Sequence, residues 1–155
     1  MLRRVVIGFG NLLMGDDAVG IHIIRHLAEM DLPEDVELVD GAVASFEALS
    51  DARDADEIII ADAIAGGGQP GDVYHISPDD LGEVAASGSF SLHQFSLTEA
   101  LHLTKQLGPM PPIVIYGVEP GAVELTLELS APVAAAAKRA ALLIATYLKG
   151  EVKYA

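Results

Sequence analysis

Apolar residues follow two patterns along the chain. Short continuous runs rich in Val and Ile are typical of strands covered on both faces. They occupy residues 3–8, 36–39, 57–61 and 113–117. Apolar residues spaced three and four apart are typical of amphipathic helices. They predict a helix from Asp16 or Asp17 to about Met30, a short helix around residues 46–49, and helices over residues 94–107 and 131–149.

Three segments fit neither pattern cleanly. Residues 72–76 alternate and follow the third strand with no helix between, which predicts an antiparallel strand. Residues 77–91 are polar and predict a mobile loop with one helical turn, whereas residues 123–129 fit an edge strand or an extended loop equally well. Strands alternating with helices predict an α/β fold. We expect a single domain over residues 1–155, with a twisted, mainly parallel mixed sheet of about five strands between helices.

Composition narrows the function classes. The chain has 155 residues, a length typical of one domain, and a net charge of −14. Such a charge repels phosphate backbones and acidic lipids, so we expect neither nucleic acid nor a membrane as partner. The absence of cysteine excludes disulfides, thiolate zinc sites and iron–sulfur clusters. With no apolar run typical of a signal peptide, we expect a cytoplasmic protein. We also expect it to be a monomer.

Acidic side chains follow the predicted parallel strands. Ligands of open α/β sheets bind beyond the carboxyl ends of the strands. The side chains at those ends are Asn11, Asp16, Asp17, Asp40 and Asp62. Asp16 or Asp17 could instead cap a helix, and Asp40 could shape a turn. Asp62 follows a run of isoleucines, where burying an acid is costly, so a functional role is favoured there.

A nucleotide site is a weaker interpretation of the glycine-rich loop. Gly8 and Gly10 fit a dinucleotide fingerprint, but its third glycine would fall at Leu13. Asp16 and Asp17 would also repel a diphosphate at the start of the helix.

One histidine differs from the other four. His93 falls where the polar loop meets a helix, so it is either a helix-start residue or a ligand. The other four fit a solvated helix face or a short strand: His22, His26, His75 and His102. Asp17, Asp62 and His93 together offer two carboxylates and one imidazole, which suits nickel or zinc with open coordination positions. No zinc-protease or serine-hydrolase motif is present, so the residues themselves define only a metal-competent acidic crevice.

Four landmarks carry a family resemblance. The run GFGNLLMGDDAVG, from Gly8 to Gly20, resembles the signature loop of the NiFe-hydrogenase maturation proteases. Asp40 with Gly41, Asp62 between two alanines, and the run SLHQ at residues 91–94 match later landmarks in the same order. The resemblance covers nearly the whole chain.

The resemblance implies a cytoplasmic endopeptidase of aspartyl type that activates a hydrogenase. It would remove the C-terminal extension of the large-subunit precursor, its partner, after nickel insertion. Asp17, Asp62 and His93 would contact nickel presented by the precursor, and zinc or cadmium could take that place in crystals. Asp17 and Asp40 would be the catalytic acids. The same motifs suggest substrate-binding roles for Asn11, Asp16, Gly41 and Gln94.

The chemical step stays open at this point. The metal could polarise a carbonyl or a water, with Asp17 or Asp40 as base. Alternatively, the metal only positions the precursor while a carboxylate activates water. A non-catalytic chaperone that binds nickel or the precursor would use the same ligands. Many members of the family have glutamate where this chain has Asp17, so the reach to a metal would differ by one methylene.

Overall fold

The computed structural model describes residues 2–81 and 92–151 and, over residues 92–96, the backbone only. Its strands are β1 (Arg4–Phe9), β2 (Val36–Ala42), β3 (Glu57–Ala63), β4 (Val73–Ile76) and β5 (Ile113–Val118). Its helices are α1 (Val19–Ala28), α2 (Ser45–Asp51), α3 (Leu92–Gln106) and α4 (Ala131–Leu148). A 3-10 turn, Gly15–Ala18, precedes α1.

The strands form one sheet in the order β2-β1-β3-β5-β4. Strands β2, β1, β3 and β5 are parallel, and β4 pairs antiparallel with β5. The predicted mixed α/β sheet and its antiparallel member are therefore confirmed. The carboxyl ends of the parallel strands share one edge, and that edge carries the candidate site.

Alternate residues of each strand face two separate cores. Ile59 and Tyr116 pack with the apolar faces of α1 and α4. Ile58 and Ile60 pack on the other face, with residues of α2 and α3. Because both faces are covered, the strands are nearly continuous apolar runs, which explains why their sequences lack a polar alternation.

Helix α1 lies unusually close to the sheet. A β-carbon at Gly20 would lie 2.3 Å from the carbonyl oxygen of Ala61, and one at Gly8 would lie 2.3 Å from the carbonyl oxygen of Gly20. Only glycine allows this approach, since both neighbours are backbone atoms that cannot move aside. The two glycines thus bring the start of α1 against β1 and β3, next to the acidic edge.

Two local predictions need correction, and one open alternative is decided. Helix α1 ends at Ala28 rather than near Met30. Of the two alternatives for residues 123–129, the structure shows the extended loop, and its one bridge joins Thr126 to Met14. Neither Asp16 nor Asp17 caps a helix, because Met14 and Ala18 hold the cap positions without side-chain hydrogen bonds. Of the predicted loop over residues 77–91, residues 82–91 lie outside the described part.

Helix α4 is the one helix, within residues 2–81 and 92–151, that is long and apolar enough to cross a membrane. This rests on length and composition alone. Eight of its residues, among them Val133 and Ile144, are buried in the core against the sheet and α1. Packing therefore accounts for the apolar character of these eight positions.

Candidate functional site

Asp17 and Asp62 come from two elements that touch at the carboxyl edge. The 3-10 turn that carries Asp17 packs against β3. Asp17 is 9% exposed, and its Oδ2 accepts the N–H of Asn11 at 2.9 Å. Asp62 is fully buried, and its Oδ1 accepts the N–H of Ala63 at 2.8 Å. Asp62 lies inside β3, as its next-to-last residue, rather than after the strand as the sequence predicts.

Asp62 faces the α2 and α3 side of the sheet. Side chains alternate along a strand, and Ile60 belongs to the core on that side. Helix α3 leads into β5, which runs parallel to β3, so α3 begins at the carboxyl edge. His93 lies in its first turn. The side chains of His93 and Gln94 lie outside the described part, and their predicted roles stay predictions.

Asp16 is a buried anchor. It is fully buried, and its Oδ2 accepts hydrogen bonds from the N–H groups of Gly121 and Ala122, both at 2.8 Å, and from the Ser130 hydroxyl at 2.7 Å. Its Oδ1 accepts the N–H of Ser130 at 2.7 Å. Asp16 therefore ties the first loop to residues 121–130 and to the start of α4. Substrate binding by Asp16 stays a prediction, and these four bonds give the residue a structural role.

Asp40 lies apart from Asp62. It is exposed, and its Oδ1 accepts the N–H of Ala42 at 3.0 Å. Its partner on β1 is Gly8, which faces α1, so Asp40 also points to the α1 side. Strand β1 separates β2 from β3, a spacing of about 10 Å. The structure therefore brings Asp17 to the element of Asp62 but does not bring Asp40 there.

Gly41 and Asn11 shape the backbone around this edge. A β-carbon at Gly41 would lie 2.6 Å from the ring of Phe9, so the position requires glycine for packing. The Asn11 side chain accepts the N–H of Leu13 at 3.0 Å. Sequence reasoning missed Ala42, which adopts a φ of +47° and accepts the N–H of Gly10 at 2.8 Å. An alanine whose backbone lies in the left-handed region cannot be recognised from the sequence, except by its neighbours Asp40 and Gly41.

Glu119 is a further buried acid at the same edge, just after β5. One oxygen accepts the N–H groups of Gly66 and Gly68, at 2.8 and 3.0 Å, and the hydroxyl of Tyr74 at 2.5 Å. Burial, and then the hydrogen bond to Glu119, raise the pKa of Tyr74 to about 12. The hydroxyl therefore stays protonated and donates to the carboxylate, so this cluster fixes the glycine-rich turn after β3.

Chemically, the edge offers carboxylates without a complete metal site. Within the described residues, no group of three or more His, Cys, Asp or Glu side chains is placed to hold a metal ion. A third donor would have to come from elsewhere, such as His93 or the substrate. The molecule is therefore a three-layer α/β protein with acidic side chains at the carboxyl ends of its parallel strands, where ligands of such sheets bind.

Comparisons with known proteins identify the family. A family model described as hydrogenase maturation protease matches residues 21–147. The hydrogenase 2 maturation protease of Escherichia coli (strain K12) is 32% identical over 136 residues, which cover 86% of this chain and 83% of that protein. The hydrogenase expression/formation protein HupD of Thiocapsa roseopersicina is 30% identical, and the chain spans about half of its length, with 75% of this chain and 53% of that protein covered.

The fold agrees with this assignment. The hydrogenase maturating endopeptidase HybD from E. coli superposes with a TM-score of 0.84 at 30% identity, covering 96% of this chain and 93% of that one. The chain belongs to the hydrogenase maturation protease family. The family and the endopeptidase class predicted from the sequence are confirmed, and the relatives' names do not favour a non-catalytic chaperone.

Proposed function

We propose that this endopeptidase removes the C-terminal extension of a NiFe-hydrogenase large-subunit precursor after nickel has been inserted. In this proposal Asp17, Asp62 and His93 bind the nickel ion of the precursor, and the enzyme recognises the loaded precursor by this contact. The nickel belongs to the precursor, so it is part of the substrate. The names of the relatives support a role in hydrogenase maturation. The cytoplasm is its proposed place of action.

The contact between the 3-10 turn and β3 carries this proposal. It brings the element of Asp17 against the element of Asp62, while α3 begins at the same edge with His93 in its first turn. These donors come from three separate segments. Two carboxylates and an imidazole fill only part of the coordination sphere of a divalent ion. The precursor itself supplies the ligands at the remaining positions. The enzyme therefore binds tightly only to a precursor in which metal insertion is complete.

Asp17 is the better placed of the two candidate bases. In the described part of the chain, its Oδ2 accepts a hydrogen bond from Asn11, whereas its Oδ1 accepts none. Asp62 is fully buried, and Asp40 projects to the face of the sheet opposite Asp62. A general base must lie within hydrogen-bond reach of the proton that it abstracts. Asp17 therefore activates the attacking water, and Asp62 holds the metal-bearing end of the precursor.

Mass spectrometry of nickel-loaded and nickel-free precursor tests the proposal. We expect the purified protein to cut only the loaded form and to release one peptide from its C-terminus. Equal cleavage of both forms would refute recognition through nickel and leave the protease function intact. Tight binding with no change in mass would instead make the protein a chaperone.

Substitutions test the assignment of roles. Asp17→Asn is expected to lower kcat/KM by about a hundredfold or more, the usual loss on removing a general base. Asp40→Asn is the matched control, because it removes the same charge from an exposed carboxylate on the sheet face opposite Asp62, and it should retain near wild-type activity. The reverse result would move the base from Asp17 to Asp40. His93→Ala that cuts at the wild-type rate would remove His93 from the site.

A further inference from the structure

Four exposed apolar side chains lie beside the acidic edge. Leu13 is 55% exposed, Val123 49%, Leu125 82% and Leu127 62%. We call these four residues the apolar ledge. Large apolar side chains exposed together, next to polar residues, are typical of protein interaction sites.

Backbone hydrogen bonds hold the two parts of the ledge together. The N–H of Thr126 donates to the carbonyl of Leu13 at 3.0 Å, and the N–H of Gly15 donates to the carbonyl of Thr126 at 2.9 Å. The N–H of Asp16 donates to the carbonyl of Ala122 at 3.0 Å. Leu13 therefore sits beside residues 125–127, and the ledge is a fixed feature rather than a set of scattered leucines.

The ledge is coupled to the candidate site through two adjacent aspartates. Asp16 holds Gly121 and Ala122, at the base of the ledge, with its buried carboxylate. Asp17, the next residue, points its carboxylate back to the N–H of Asn11, two residues before Leu13. A protein bound on the ledge would therefore contact the same loop that carries the proposed base.

The charge around the ledge specifies the occupant further. Glu124 and Glu128 are exposed and alternate with the leucines. Neither residues 121–130 nor residues 9–18 contain a lysine or an arginine, and the chain has a net charge of −14. A complementary partner surface would carry apolar side chains among lysines or arginines.

We propose that the apolar ledge docks the hydrogenase precursor through a patch of apolar and basic side chains outside its scissile tail. This inference rests on the proposed function. Docking at the ledge supplies affinity for the whole precursor, while the tail enters the crevice next to Asp17. Holding the precursor at a second point raises the effective concentration of the tail at the site.

The test compares binding and cleavage of the whole precursor by four proteins: the wild type, Leu125→Asp, Glu124→Lys and Leu142→Asp. Leu142 is the matched control, because it is a 61% exposed leucine on α4. We expect Leu125→Asp to raise both Kd and KM by about tenfold or more, the loss typical of a central apolar contact, with kcat little changed. Glu124→Lys should slow association, since charge at a contact mainly sets the on-rate. Leu142→Asp should match the wild type.

Any of the following three results would overturn the docking inference. If the wild type binds and cuts the precursor and Leu125→Asp does the same equally well, the ledge is not the docking surface, and the protease function remains. If the wild type neither binds nor cuts the precursor, the proposed function fails and the docking inference fails with it. If sedimentation shows that the wild type alone is a dimer and Leu125→Asp a monomer, a second copy of this chain covers the ledge instead.

Discussion

Replacing Asp16 by asparagine tests the anchor between the first loop and α4. The carboxylate accepts three hydrogen bonds at Oδ2 and one at Oδ1, from Gly121, Ala122 and Ser130. An asparagine can place its one oxygen at the Oδ2 position and keep three acceptor contacts. Its NH2 group then faces the N–H of Ser130, so two donors meet where a donor met an acceptor.

The cost follows from these bonds. Losing a charge-assisted hydrogen bond and leaving a partly buried N–H without an acceptor costs about 2–4 kcal/mol. Asp16→Ala removes both acceptor oxygens and with them all four hydrogen bonds, and would cost about 4 kcal/mol or more, a large part of the 5–15 kcal/mol typical of a domain. Asparagine is therefore the informative variant, since it should still fold.

Urea denaturation followed by circular dichroism measures the effect. With a slope of about 2 kcal/mol per molar urea, the transition midpoint of Asp16→Asn should fall by about 1–2 M. Asp51→Asn, at an exposed position, removes the same charge and should leave the midpoint nearly unchanged. A shift below about 0.3 M for Asp16→Asn, with an unchanged slope, would show that these hydrogen bonds do not hold the loop.

Three further predictions test the packing and the buried polar groups. Gly20→Ala should destabilise the fold by about 2 kcal/mol or more in urea denaturation, although alanine is the better helix former, because its β-carbon would meet the carbonyl oxygen of Ala61 at 2.3 Å. Burial, and then the charges of Arg25 and His26, lower the pKa of His22 in the folded protein. The unfolded chain therefore binds more protons as the pH falls below 6.5, and the free energy of unfolding decreases. His22→Gln removes this group, so its stability should decrease less on acidification. Tyr74→Phe removes a hydrogen bond to Glu119 and should speed amide exchange at Gly66 and Gly68.

Each of these has a control or a contrary result. A stabilised Gly20→Ala would show that helix propensity outweighs the close approach of α1 to the sheet. His102→Gln, at an exposed position of α3, is the control for His22→Gln, and equal slopes of stability against pH for the two variants would contradict the role of burial. Unchanged amide exchange in Tyr74→Phe would mean that Glu119 holds the turn without the hydroxyl.

Much of the fold was predictable because it depends on local patterns. The β-branched runs marked all four parallel strands within a few residues, and the antiparallel strand followed from the absence of a helix before it. The motif around Asp17, Asp40 and Asp62 led to the correct family. The prediction that Asp16 or Asp17 caps a helix was wrong, because neither carboxylate accepts from the first turn of α1. Asp17 accepts from Asn11, and the partners of Asp16 are more than 100 residues away in sequence.

The sequence by itself determined the layered α/β fold, the acidic edge and the protease family, because periodicity, charge and motif spacing are properties of neighbouring residues. Tertiary structure alone decided that one of the two adjacent acids is an anchor and the other is not. Asp16 and Asp17 are chemically identical neighbours, yet Asp16 is enclosed by four donors, whereas the Oδ1 of Asp17 accepts no hydrogen bond within the described part of the chain. It also placed Asp40 on the face opposite Asp62, because the direction of a side chain in a sheet depends on register, which only the pairing of distant strands fixes.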